Sequence, residues 1–316
     1  MTEGDADGLG VEVWRGGVNT WECDEMGHMN VRFYVARAME GLVALAAALG
    51  MPNAFAPEAV ATLMVREQHI RFLREARPGA LLHMRAGVLD IDETEVRVAQ
   101  ALYHSGAGEP AATIVSRISH VTAADGRPFP WPRQALDRVK ALRIGLPDYA
   151  APRGLSLDPV EPQASAERAA ALGLTPIATG AFAPQDCDAF GRMRTEQFIG
   201  RISDGIPQLA GEIRAIVAEQ AANPPARFGG AVLEYRLIHL DWPRVGARFA
   251  IRSALTGADE RTQRIVSWML DPESGRAWAT AIAVAVTLDL DARKIVPASP
   301  AALARLAAFA KPDATL

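Results

Sequence analysis

One block of residues returns at a fixed distance, and that repeat limits what this chain can fold into more than any other feature. Cys23-Asp24-Glu25-Met26-Gly27-His28-Met29-Asn30 is followed by Tyr34. The same order comes back as Cys187-Asp188-Ala189-Phe190-Gly191-Arg192-Met193-Arg194, followed by Phe198. Cysteine, aspartate, glycine, methionine and an aromatic ring recur at an offset of 164 residues, five matches in twelve positions. Later turns also match: Gly79 with Gly246 and Gly108 with Gly275, both at an offset of 167. A chain of 316 residues is long for one core and comfortable for two. Duplication of one unit accounts for all of this.

Each unit reads as one strand, one long helix and four strands. In the first, Val11 to Val18 is strand-like. From Val31 the chain has helical composition up to Gly50, with Pro52 beyond that stop. Strand patterns follow over Ala61–Leu73, Ala80–Asp90, Glu95–His104 and Ala111–Val121, separated by glycine- and aspartate-bearing turns. The second unit repeats this. It has a strand over Thr175–Ala183, a helix over Thr195–Ala222 bent at Pro207, and four strands between Phe228 and Leu288. Between them, Asp125 to about Leu174 is proline-rich with one helical piece, Arg133–Leu142, and reads as a surface linker. The expected organisation is therefore α+β, with units over 11–122 and 175–300 joined by 123–174.

A net charge of −4 argues against nucleic acid as the main partner, because phosphate binding wants a basic face. No apolar run reaches the length of a membrane span: Val35 to Leu49 is interrupted by Arg37 and Glu40. The acidic N-terminus lacks the apolar core of a signal peptide, so the expectation is a cytoplasmic protein that binds no membrane. The two cysteines hold equivalent places in two repeats and suggest no disulfide framework.

An aspartate just ahead of a helix most often caps it. Asp24, however, lies several residues before the helical pattern begins, placed to face the helix start across a gap. A group held in that gap would meet both a carboxylate and free backbone N–H donors, a layout that can polarise a carbonyl. Glu40 is the other acid of interest, with Asp204 as its counterpart at the same offset. A charge inside an otherwise apolar helix needs a partner. A structural tie and a role at the site stand level as readings. Cys23 and Cys187 have no evident activating neighbour and read as packing residues. The remaining histidines, His69, His83, His104, His120 and His239, show no metal-ligand spacing, and there is no nucleophile elbow or phosphate loop.

With those residues in view, Asp24-x-x-Gly27-His28-Met29-Asn30, Tyr34 and Glu40 resemble the hot-dog thioesterases of the 4-hydroxybenzoyl-CoA type. The resemblance covers both halves, although Arg192 and Arg194 stand where His28 and Asn30 do. It implies two hot-dog units, each a long helix wrapped by an antiparallel sheet, packed as a pseudo-dimer with active sites between units. It implies hydrolysis of an acyl-CoA or acyl-carrier-protein thioester, with no cofactor or metal. Asp24 would be nucleophile or general base, and the amides near Asn30 and Val31 would hold the thioester oxygen. Gly27 would let backbone approach substrate, His28 and Asn30 would orient the loop or touch substrate, and Tyr34 and Glu40 would line the site. Asp188, Arg192 and Arg194 would form a second site, degenerate or serving to dock coenzyme A phosphates. A further homodimer of the double unit is expected over a monomer. The alternative is a module that binds an acyl thioester or fatty-acyl ligand without hydrolysing it. A hydratase on the same fold fits the motif spacing less well.

Overall fold

The first long helix begins and ends where its flanking residues dictate. In the computed structural model, which describes residues 9–221 and 223–316, α1 spans Val31–Ala48. Asn30 starts it in extended conformation, and its side chain accepts from the Arg32 amide, satisfying one of the free donors of a helix start. Gly50 stops it at φ +87°, a left-handed conformation that strains any residue with a Cβ. There the Met51 amide reaches Ala46 O and the Gly50 amide reaches Ala47 O, which satisfies the last carbonyls. Between these ends, Tyr34, Val35, Ala38, Leu42, Leu45 and Ala46 are buried at helical spacing on one face.

That face packs on five antiparallel strands: β1 (Val11–Gly17), β2 (Ala61–Phe72), β3 (Leu81–Ile91), β4 (Glu95–His104) and β5 (Glu109–Thr122). Their order is β1-β3-β4-β5-β2. Leu42, Leu45 and Leu49 join Val65, Ala86, Val88, Val98 and Ile118 in one core. Each such leucine contributes about 1.5–3 kcal/mol by burial. One polar tie crosses this interface: Gln100 Nε2 on β4 donates to Ala38 O of the helix at 2.7 Å. After β5, α2 (Arg133–Leu142) adds Ala135, Val139 and Leu142 to the same core, together with Trp131.

The chain divides into two compact units at Ala151/Pro152. The second opens with α3 (Ala166–Ala171) and β6 (Thr175–Ala181), then two helices, α4 (Glu196–Gly205) and α5 (Pro207–Glu219). It continues with β7 (Phe228–His239), β8 (Arg248–Ala258), β9 (Gln263–Leu270) and β10 (Ala277–Asp289). A short β11 (Lys294–Ile295) and α6 (Pro300–Phe309) complete it. The strand order β6-β8-β9-β10-β7 repeats that of the first unit, with β11 on the end of β10. α6 covers α5, its Ala302 and Leu306 clustering with Leu209, Ile213 and Val217.

Two details differ from the sequence expectation. The helix expected over Thr195–Ala222 is two helices, because Pro207 has no amide to donate and its ring blocks the preceding turn, so the chain re-starts at Ile206. Ala222 lies outside the described residues. The segment 123–174, expected to run over the surface, also supplies core: α2 is packed as above, and Ala169 of α3 clusters with Leu174 and Trp268. Each short helix carries an apolar face that the adjacent sheet buries. Among the described residues, no helix is long and apolar enough to cross a membrane.

Candidate functional site

Asp24 sits in a closed loop whose base is an isolated antiparallel bridge between Cys23 and Met29. A 3-10 turn, Thr20–Glu22, leads into it. The Asp24 amide donates to His28 O at 2.9 Å and the Gly27 amide to Asp24 O at 3.0 Å. Gly27 has φ +75°, and an added Cβ would meet nothing within 4 Å. Its conformation, rather than close packing within the chain, is what demands glycine. Asp24 Oδ1 accepts from the amides of Met26 at 3.0 Å and His28 at 3.3 Å. Oδ2 has no hydrogen bond or ion pair among the described residues. One oxygen is therefore fixed by the loop and the other is left to act.

The helix start offers fewer donors than expected. The Asn30 amide is committed to Glu22 O at 2.8 Å, and the Arg32 amide is covered by the Asn30 side chain at 3.0 Å. The Val31 amide has no acceptor among the described residues, so it is the donor left at the positive end of α1.

The other residues singled out by sequence hold this arrangement together. His28 Nε2 lies 3.0 Å from Glu75 Oε2, and Glu75 is also met by Arg77 at 3.5 Å. Tyr34 is buried, with its ring edge-on to Phe72 at 5.2 Å and its hydroxyl bonded to the Ala76 backbone. Burial raises its pKa well above the usual phenol range, against that hydrogen bond. Glu40 is 48% exposed and pairs with Arg37 at 2.6 Å, one helical turn away.

Arg37 leads to a residue that sequence reasoning passed over. Glu22 is only 2% exposed. Arg37 pairs with it, and its second oxygen accepts from the Asn19 amide at 2.7 Å. The trio returns as Asp186, Arg201 and Asp204, each 164 residues on, with Arg201 at 3.2 Å from Asp186 and 3.7 Å from Asp204. That recurrence was readable in the sequence. It stayed hidden because only Glu40 and Asp204 look out of place by helical pattern. The arginines tie the approach turn to the second turn of the helix in both units.

The second loop has the same backbone and different wiring. The Asp188 amide meets Arg192 O at 2.7 Å, Gly191 has φ +72°, and Asp188 Oδ1 accepts from the amides of Phe190 at 2.8 Å and Arg192 at 2.9 Å. Here, however, Oδ2 is taken, with Arg192 Nε at 3.4 Å. The Arg192 guanidinium lies over the Phe190 ring and the residue is 4% exposed. Desolvation lowers its pKa, against the pull of the Asp188 carboxylate. A guanidinium this enclosed presents little to a phosphate. Arg194 turns away and pairs with Glu196 at 3.1 Å. No side chain caps α4, where Asn30 capped α1.

Both cysteines are free thiols whose pKa is raised, by burial first and then by neighbouring carboxylates, which is the wrong direction for a nucleophile. Among the described residues, no group of three or more His, Cys, Asp or Glu is placed to hold a metal ion.

Comparison with known proteins gives a consistent picture. The chain matches the thioesterase-like superfamily twice, over residues 18–139 and 182–306. It is 29% identical over 119 residues to a betainyl-CoA thioesterase of Pseudomonas aeruginosa, which covers 38% of this chain and 75% of that protein. Among solved structures it is similar to a 12:0-ACP thioesterase from Umbellularia californica (TM-score 0.63, 10% identity, 86% of this chain and 92% of that one). It is also similar to an acyl-ACP thioesterase from Bacteroides thetaiotaomicron (TM-score 0.61, 11% identity, 86% and 96%). At such identities the structural likeness speaks for the fold: two hot-dog units in one chain.

Proposed function

The chain belongs to the thioesterase-like superfamily, which it matches in both halves, and on that premise we propose that it hydrolyses an acyl-CoA or acyl-carrier-protein thioester at the Asp24 loop. The observation that carries this reading is the divided state of the Asp24 carboxylate: Oδ1 is locked by two loop amides while Oδ2 is unengaged among the described residues. A carboxylate so held has a fixed orientation and one oxygen ready for chemistry.

In this reading the thioester carbonyl lies between Asp24 Oδ2 and the start of α1. The Val31 amide donates to its oxygen as negative charge develops there, aided by the helix dipole. Oδ2 either attacks the carbonyl carbon or takes a proton from an attacking water. By the first route the C–S bond breaks, the thiolate leaves and takes a proton from solvent, and water then cleaves the acyl–aspartyl anhydride to the free acid and the Asp24 carboxylate. By the second, water supplies the oxygen directly and the same acid and thiol result. Single turnover in ¹⁸O-water with enzyme in excess separates the two: label in the Asp24 carboxylate, from water attacking the aspartyl carbonyl of the anhydride, marks the first route, whereas by the second the label enters the released acid alone. His28 and Asn30 hold the loop and the helix start, and Gly27 supplies the turn.

The test is thiol release across acyl-CoA and acyl-carrier-protein substrates of varied chain length, with aromatic acyl groups and betainyl-CoA included. Turnover of at least one substrate, lost in Asp24→Asn, is expected. Saturable binding of acyl thioesters with no thiol released would replace this reading with that of a binding module.

A further inference from the structure

The two loops share one backbone trace yet leave their aspartates in opposite states, and the cause lies outside the loops. In each, the residue four after the aspartate projects a basic side chain: His28 in the first, Arg192 in the second. In the first unit that side chain has an acid to turn to, Glu75, at 3.0 Å. At the offset of 167 that relates the sheets, Glu75 corresponds to Trp242. The indole accepts nothing; it stacks on His239 at 4.7 Å and 16° instead. Adjacent backbone contacts confirm the correspondence, since Met29 N–H reaches Ala76 O at 2.8 Å and Met193 N–H reaches Pro243 O at 2.8 Å. With no acid there, Arg192 closes onto Asp188 Oδ2.

We infer that Glu75 is a positioning residue for the thioesterase reaction: by holding the basic side chain at position 28, it keeps Asp24 Oδ2 free. This rests on the proposed role of Asp24. The pair His28/Glu75 and the pair Arg192/Trp242 are then two settings of one switch fixed in the sequence. The first leaves the carboxylate reactive. The second occupies it, because a guanidinium against the same oxygen engages its lone pairs and fills the space a carbonyl needs. Arg77, also on Glu75, is exposed and does not reach the loop aspartate in this arrangement.

The exchange is testable because the inference predicts non-additivity. His28→Arg alone changes a loop-holding residue but leaves Glu75 in place as the arginine's partner, so kcat should fall by about 10-fold at most, well short of the double variant. His28→Arg with Glu75→Trp reproduces the second loop's surroundings, and kcat should fall about 100-fold or more while KM moves less than about 3-fold. Side chains 28 and 75 are 22% and 40% exposed, so both proteins should fold, which circular dichroism checks. Should the double variant fail to fold, Glu75→Leu in the His28→Arg background carries the same expectation. A single variant as inactive as the double, or a folded double variant as active as the parent, overturns the inference. Asp24→Asn, run alongside, separates the two levels. If it is inactive while the double variant works, only the role of Glu75 fails; if it is active, the proposed site itself fails.

Discussion

Replacing each aspartate by asparagine should separate activity from stability in opposite directions. In Asp24→Asn the amide oxygen still accepts from Met26 and His28, so the loop keeps its bonds and stability should change by less than about 0.5 kcal/mol. The change removes the basic oxygen, however, and thioester hydrolysis should fall ~100-fold or more. Asp188→Asn keeps the amide bonds to Phe190 and Arg192 but strips the enclosed guanidinium of its carboxylate. Removing one partner of a fully buried pair costs about 3–5 kcal/mol. Asp188 is 35% exposed, so water replaces part of the loss and about 1–2 kcal/mol is expected. At this unit size that lowers Tm by about 2–4 °C per kcal/mol. Hydrolysis should stay within a few-fold of the parent. Thiol-release kinetics and thermal melts on the same preparations give both readings. If Asp188→Asn, still folded, lost more activity than Asp24→Asn, the assignment of the working carboxylate would be wrong.

Two further outcomes follow from the fold. His120 is buried between Phe129 and Trp131, its Nδ1–H shared by the Phe129 and Pro130 carbonyls at 3.1 Å, and burial lowers its pKa against those bonds. The folded protein then binds this proton less readily than the unfolded chain. Its contribution should be whole above about pH 6.5 and decline as pH falls toward the depressed folded value, a dependence that His120→Gln should flatten in melts from pH 8 to 5. Gly205→Ala should destabilise by about 1–3 kcal/mol despite the ~1 kcal/mol helix preference of alanine, because the new Cβ would sit 2.4 Å from Ile177 O; a raised Tm would refute this.

The repeat, the strand-helix-strands order and the helix limits were legible because they rest on local chemistry. Asn30 caps, Gly50 turns left-handed, Pro207 interrupts, and alternation marks the strands whatever surrounds them. The aspartate loop was legible for the same reason, since its hydrogen bonds close within five residues. What tertiary structure alone decided is which groups are free. That Asn30 N–H is already spent on Glu22 O, leaving Val31, depends on where the approach turn docks. That Glu40 is an exposed tie while Glu22 is the buried acid depends on where Arg37 reaches from the helix. And Asp24 differs from Asp188 through Glu75 and Trp242, residues about fifty positions further along the chain. A side chain's partner is set by distances that only the packed sheet and helix define. The motif could therefore announce a carboxylate, but not say which of its oxygens was open.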